Sequence, residues 1–312
     1  MRNLFLFLFV FISLSSLRAQ LRLPVLYDDH MVLQQQSPVP IWGWSHPSQN
    51  IEITVSWDTT RIRTKSDNTT FWAATLYTPA AGGPHTVTIK AGGETRKLED
   101  VMVGEVWLCS GQSNMEWGMH VSGEKGMIEQ VNDPNIRLFQ VPKSAASTLQ
   151  VKGEGDWRVC DKEAVRYFSA VAYFFGKKLN TDLNVPIGLI NASWGGTPAE
   201  TWVSSEKVES DPALKAAAEQ QGDTRPWCPS RPGVTFNAMI NPLIPFRLAG
   251  ALWYQGESNT GTSSTYKQLM EQLILDWRKQ FLSDFPFYFV QIAPYTYGTP
   301  GICPALREQE TK

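Results

Sequence analysis

Three short segments of this 312-residue sequence hold the residue types that acyl transfer needs. The first is Cys109-Ser110-Gly111-Gln112-Ser113-Asn114-Met115-Glu116-Trp117, which follows the apolar residues 103–108 and opens a polar stretch. A serine placed just past a glycine, where a strand turns sharply into a helix, exposes its hydroxyl, and the helix aims backbone amides at the site. In the second segment, residues 187–191 run into Ala192-Ser193-Trp194-Gly195-Gly196. In the third, residues 251–254 run into Gln255-Gly256-Glu257-Ser258-Asn259. Ser113 is the candidate nucleophile, and a serine hydroxyl stays weak until a base takes its proton. An oxyanion needs donors fixed before the charge develops. The candidates are the amide of Ser113, the amide of Gly196 ahead of Gly195, and the carboxamide of Gln255 ahead of Asn259.

Each residue alone has a plainer reading. Ser113 could cap a helix starting near Asn114. The glycine pair could serve a turn that requires positive φ. Gln255 could simply pack. The three segments together, each at a strand end, favour chemistry. Glu257 and Glu200 are assigned no acid–base role, because ion pairing or support of a loop is the commoner use of such glutamates. The histidines are His30, His46, His85 and His120, and none follows. If His120 and Ser113 shared one straight helix, they would lie roughly 10 Å apart along its axis. That exceeds hydrogen-bond reach.

The elements that must position these residues are legible from about residue 101 onward, where strands and helices alternate. Candidate buried strands are 105–109, 187–191, 251–254 and 287–292. Candidate helices are 164–179, with a stripe of Val165, Phe168, Val171, Ala172 and Phe175, and 264–281, with Leu269, Leu273, Ile274 and Trp277. This order predicts an α/β fold with a parallel sheet covered on both faces and functional residues at the carboxyl ends of the strands. Residues 205–235 read as a long polar loop, equally a substrate-side loop or a solvated one. Residues 21–100 differ: short alternating runs at 39–44, 51–57, 71–76 and 85–89 predict a small antiparallel β-sandwich.

The first twenty residues read as a secretory signal, with Arg2, an apolar core over 4–14 and Leu17-Arg18-Ala19 before the cut. That core is too short to span a bilayer comfortably. The expected organisation is a signal peptide at 1–20, a sandwich at 21–100 and an α/β domain carrying the three segments at 101–312, in a secreted or periplasmic protein. Lysine plus arginine total 28 against 30 aspartates and glutamates, which gives no electrostatic argument for nucleic acid or anionic membranes. Cys109, Cys160, Cys228 and Cys303 lack zinc-ligand spacing, and no metal or other cofactor is expected. Cys109 closes a buried strand and reads as a packed free thiol. The 12 tryptophans are compatible with sugar stacking, although large aromatics are more often core.

These motifs resemble those of the sialate O-acetylesterase family, within the SGNH (GDSL-like) hydrolases. The resemblance is carried by Asp29-His30-Met31-Val32-Leu33-Gln34, by Gly104-Glu105-Val106-Trp107 leading into Ser110 to Trp117, and by Asn191-Ala192-Ser193-Trp194-Gly195-Gly196-Thr197 with Glu200-Thr201-Trp202. It continues in Trp253-Tyr254-Gln255-Gly256-Glu257-Ser258-Asn259 and in Ala305-Leu306-Arg307-Glu308. It implies an N-terminal β-sandwich, a three-layer α/β/α hydrolase domain and metal-free removal of O-acetyl groups from sialic acids or related sugars. The family nucleophile falls on Ser113, its oxyanion glycine on Gly195 or Gly196, and its carboxamide block on Gln255 to Asn259. The family's Asp-x-x-His, which supplies base and orienting carboxylate, is not found in this sequence. The expectation is a chain whose C-terminal part is missing, ahead of a base-less relative that binds acetylated sugar. An acetyl-xylan-type esterase is the alternative enzyme. The partner in every case is an O-acetylated sugar or glycan.

Overall fold

The computed structural model describes residues 21–222, 225, 227–296 and 301–311, so the expected signal peptide lies outside the described residues. Six strands come first: β1 (Val32–Gln34), β2 (Pro38–Trp44), β3 (Asn50–Val55), β4 (Asp58–Lys65), β5 (Phe71–Tyr77) and β6 (Gly82–Ala91). β2 and β5 form an antiparallel pair, and β4, β3 and β6 run antiparallel in that order into β7 (Glu94–Gly111). Val39, Ile41, Trp72 and Leu76 of the pair share one buried cluster with Ile51, Ile53, Val87 and Ile89 of the larger sheet. β4 has no counterpart among the alternating runs read from sequence, because most of its residues are exposed and it buries no apolar face.

β7 is 18 residues long and crosses residue 100 without a break. Its first half pairs with β6, and its second half enters a second set of strands. The elements that follow are α1 (Ser113–Glu116), β8 (Asn132–Gln140), β9 (Trp157–Asp161), α2 (Lys162–Arg166), α3 (Ala170–Leu183) and β10 (Ile187–Ser193). After them come α4 (Ser205–Glu209), α5 (Pro212–Gln220), β11 (Gly250–Tyr254), α6 (Tyr266–Gln280), β12 (Phe287–Phe289) and α7 (Ile302–Glu310). The strand order here is β9-β8-β10-β7-β11-β12, parallel throughout except for β9.

Side chains alternate across this sheet as the pleat requires. Trp107 and Cys109 of β7 join Ala172 and Tyr173 of α3 on one face. Val106 and Leu108 join a cluster containing Leu269, Leu273 and Trp277 of α6. The fold is therefore α/β, with helices on both faces of a mainly parallel sheet. Seven of the twelve tryptophans are buried, with Trp253 packed edge-on between Trp202 and Trp277 at centroid distances of 6.3 and 6.0 Å. Core packing accounts for most of the tryptophan content. All four cysteines are buried free thiols.

Several boundaries differ from the sequence reading. The helix expected over 164–179 is two helices, because Ser169 interrupts it and caps α3 by accepting from the Ala172 amide at 3.1 Å. The stretch 205–235 contains α4 and α5. α5 is capped by Asp211, which accepts from Ala213 and Leu214, and its Pro212 sits at the first helical position. β8 and β9 escape a sequence reading because Pro134 and a register shift interrupt their pairing. Trp277 is fully buried and its indole donates to the Trp202 carbonyl at 2.8 Å, whereas Trp117 is 59% exposed. Trp277→Ala is expected to cost about 4 kcal/mol in urea unfolding. Trp117→Ala is expected to stay within about 0.5 kcal/mol of the parent protein.

Candidate active site

The register of the sheet brings the three sequence segments to one edge. Gly111 at the end of β7 lies level with Ser193 of β10 on one side and Tyr254 of β11 on the other. The pairing continues past the strand ends: Trp194 N donates to the Gly111 carbonyl and Gln112 N to the Tyr254 carbonyl, both at 3.0 Å. Gly111 has φ +139°, and a Cβ there would lie 2.1 Å from the Tyr254 carbonyl oxygen. Only glycine fits a backbone that close.

The chain then turns at Gln112, and Ser113 begins α1. Gln112 occupies the N-cap position without a side-chain capping bond, so Ser113 is not the cap. α1 is a single turn, too short to carry much of a macrodipole. The buried Gln112 side chain instead ties the turn to the third segment, with Oε1 accepting from Ser258 N at 3.1 Å and Gly256 N at 3.4 Å. Asn114 Nδ2 adds a bond to Glu257 Oε1 at 2.5 Å.

Gly195 lies directly against the candidate nucleophile: a Cβ on it would come within 3.3 Å of Ser113 Cβ and 3.0 Å of Glu116 Oε2. Its amide donates to that Glu116 oxygen, and Glu116 Oε1 pairs with Lys143. Gly196 has φ +83°, and its amide has no hydrogen-bond acceptor among the described residues; neither has the amide of Ser113. Gln255 is 1% exposed, and its amide group donates to the Thr197 carbonyl at 3.2 Å and Asn259 Oδ1 at 2.8 Å, while Tyr266 Oη donates to its Oε1 at 2.8 Å. Asn259 is equally buried; Ala199 N donates to its Oδ1 at 2.9 Å, and its Nδ2 donates to Glu200 Oε2 at 2.8 Å. The structure thus brings Ser113, Gly195 and Gly196 together, and it places both carboxamides in a buried frame behind the turn.

Three buried or half-buried carboxylates surround that frame: Glu200, Glu257 and Glu310, each with one oxygen lacking a partner among the described residues. Burial raises the pKa of Glu200 and of Glu257. Glu310, whose Oε1 would lie 2.9 Å from a Cβ on Gly256, is pushed up to about 7 by burial and by the charge of Glu257. Among the described residues, no group of three or more metal-ligating side chains forms.

Three of the four histidine rings have partners other than Ser113. His120 is not on the same helix as Ser113: it sits in a separate 3₁₀ turn, its Nδ1 donates to the Arg166 carbonyl at 3.1 Å, and its ring packs edge-on against Tyr167. His30 Nδ1 lies 2.7 Å from Asp100 Oδ2, and His85 Nδ1 lies 3.3 Å from Ser56 Oγ. His46 belongs to the turn before β3, where Ser66 Oγ donates to its carbonyl. Sequence reasoning missed Glu116 and Lys143, since their contact with the Gly195 amide joins residues far apart in the chain. It also missed Trp227 as a neighbour of Gly196: Trp194 Nε1 donates to the Trp227 carbonyl at 2.8 Å, and the Trp227 indole is 64% exposed.

Comparison with known proteins places the chain in a family. The family model for carbohydrate esterase, sialic acid-specific acetylesterase, matches residues 103–311. The sialate O-acetylesterase of Homo sapiens is 32% identical over 301 residues, covering 85% of this chain and 56% of that protein. The Mus musculus sialate O-acetylesterase is 31% identical over 335 residues, covering 88% of this chain and 62% of that protein. The chain spans little more than half the length of these relatives. A solved carbohydrate acetylesterase from Xanthomonas citri superposes with a TM-score of 0.83 at 33% identity, over 94% of this chain and 66% of that one.

The buried carboxylates generate a pH prediction. Glu310 has a folded pKa near 7 against an ordinary value of 4.5, so its contribution to stability is full below pH 4.5 and is lost as pH rises towards 7. Glu200 and Glu257 shift in the same direction and act with the same sign. In thermal melts across this range, the contribution of these carboxyls to stability is expected to fall with rising pH. Glu310→Gln, which removes the charge and keeps the shape, is expected to flatten that slope.

Proposed function

The chain belongs to the sialic acid-specific acetylesterase family of carbohydrate esterases, and we propose that it is a serine carboxylic-ester hydrolase removing O-acetyl groups from sialic acid or related sugars. The observation that carries this reading is the placement of Ser113 against the Gly195–Gly196 turn at the level ends of three parallel strands. Ser113 Oγ attacks the acetyl carbonyl carbon and loses its proton to a base. The tetrahedral intermediate collapses, the sugar oxygen leaves with a proton, and an acetyl-enzyme remains. Water then attacks the same carbonyl, releases acetate and restores the hydroxyl.

The free amides of Ser113 and Gly196 support these two as the oxyanion donors, ahead of Gly195, whose amide is held by Glu116. Gln255 would have to release Thr197 or Asn259 to act as a third donor, and Asn259 would have to release Glu200. In the arrangement described, Gln255 holds the backbone just past Gly196 in place. We further assign residues 1–20 to a secretory signal, residues 21–100 to a sandwich and residues 101–312 to the hydrolase domain, with the protein secreted or periplasmic. No helix among the described residues is long and apolar enough to cross a membrane.

The base is the step these residues do not supply: the rings of His30, His85 and His120 have other partners, and His46 lies in the turn before β3. The second reading is a base-less relative that binds acetylated sugar without cleaving it. One assay separates the two. Acetate release from O-acetylated sialic acid, followed with the complete protein, is expected to fall by about a million-fold in Ser113→Ala. Release unchanged in that variant would remove Ser113 from the mechanism. Sugar binding with no release by the parent protein would establish the second reading, and cleavage of acetylated xylan alone would change the sugar.

A further inference from the structure

Two side chains beside the site have no part in the chemistry above. Trp227 presents an indole that is 64% exposed, while its backbone carbonyl is hydrogen-bonded. Its carbonyl accepts from Trp194 Nε1 at 2.8 Å, and the neighbouring Cys228 thiol donates to the Gly196 carbonyl at 3.3 Å. Arg225 and Cys228 exchange backbone hydrogen bonds at 3.1 and 3.3 Å. These contacts set the indole over the glycine turn: a Cβ on Gly196 would lie 3.3 Å from Trp227 Nε1. Since Gly195 touches Ser113, the aromatic surface begins one residue away from the nucleophile.

Arg225 lies over the Trp227 ring, with its guanidinium carbon 6.0 Å from the ring centroid. No carboxylate pairs with it among the described residues, whereas Lys143, the cation linked to the glycine turn through Glu116, is already paired. An exposed indole offers a flat apolar face on which the C–H face of a pyranose can stack. A guanidinium fork matches a carboxylate in two parallel hydrogen bonds, and stacking on the ring orients the fork before a ligand arrives. A neutral sugar would use only the indole. A sugar acid would use both groups.

We propose that Arg225 and Trp227 form a subsite for an acidic sugar, with the ring on Trp227 and the sugar carboxylate on Arg225, directing its O-acetyl group at Ser113. This rests on the reading of Ser113 as the esterase nucleophile, and it commits that site to carboxylated sugars rather than to neutral ones such as xylan.

The test is a binding titration on the full chain, read by tryptophan fluorescence and calorimetry, with probes that carry no O-acetyl ester. The probes are the methyl glycoside of N-acetylneuraminic acid, its neutral methyl ester and xylobiose. The acid is expected to bind roughly tenfold more tightly than its ester, as a charge-assisted contact would give. Arg225→Gln is expected to abolish that preference and Arg225→Lys to restore part of it. Trp227→Ala is expected to weaken acid and ester alike. Equal binding of acid and ester by the parent protein, a preference that survives Arg225→Gln, or tighter binding of xylobiose would each overturn the proposal. Binding here needs no acetyl transfer, so a failure of acetate release would count against the esterase reading and leave this result standing.

Discussion

The parallel register that sets Gly111 level with Ser193 and Tyr254 is the constraint on which the rest of this structure depends. A parallel pair has evenly spaced, slanted bonds, so the flanking strands are fixed by the same ladder. A slip of one residue would turn every side chain of β7 to the opposite face. Trp107 and Cys109 would then meet α6, and Val106 and Leu108 would meet α3. The register also decides which backbone groups emerge at the sheet edge. Gly111 permits the approach that lets β10 and β11 hydrogen-bond on either side of one turn. Ser113 is therefore placed by the backbone, and one turn of helix is enough to carry it.

Behind the turn lies a polar network with little slack. Gln112, Gln255, Asn259 and Glu200 are all buried, and their bonds cross-link the turns that follow β7, β10 and β11. Such a network specifies one arrangement when satisfied and is costly where it is not. The unpartnered oxygens of Glu200, Glu257 and Glu310 are the costly part, and burial raises the pKa of each of these carboxyls. A polar frame of this kind is more readily justified by the positioning of a reactive group than by stability alone.

Much of this was legible in the sequence, for identifiable reasons. Strands β7, β10 and β11 are buried on both faces and read as apolar runs, and glycine follows or closes each of them. Stripes of apolar residues gave α6 and the core of α3. Short or exposed elements were not legible: β4 has no buried face, β8 is interrupted by Pro134, and the Ser169 cap splits a helix whose apolar period runs on across it. At the site, residue types pointed to Ser113 and the glycine pair because a turn needs particular backbone freedom. The same reasoning could not tell a carboxamide facing Ser113 from one facing inward. For Gln255 that depends on Tyr266, Thr197 and Asn259, of which Thr197 is distant in the chain. Glu116 against Gly195, and Trp227 over Gly196, are likewise products of tertiary packing.

The central claim is that acetyl transfer passes through the Ser113 oxygen. It is tested most directly by rapid quenching of the complete protein during turnover of an O-acetylated sialic acid, followed by peptide mass analysis. The account predicts one added acetyl group on the peptide bearing Ser113, localised to that serine and lost as free acetate accumulates. Acetate release with Ser113 unmodified at every time point, or an acetyl group carried by another residue, would contradict it.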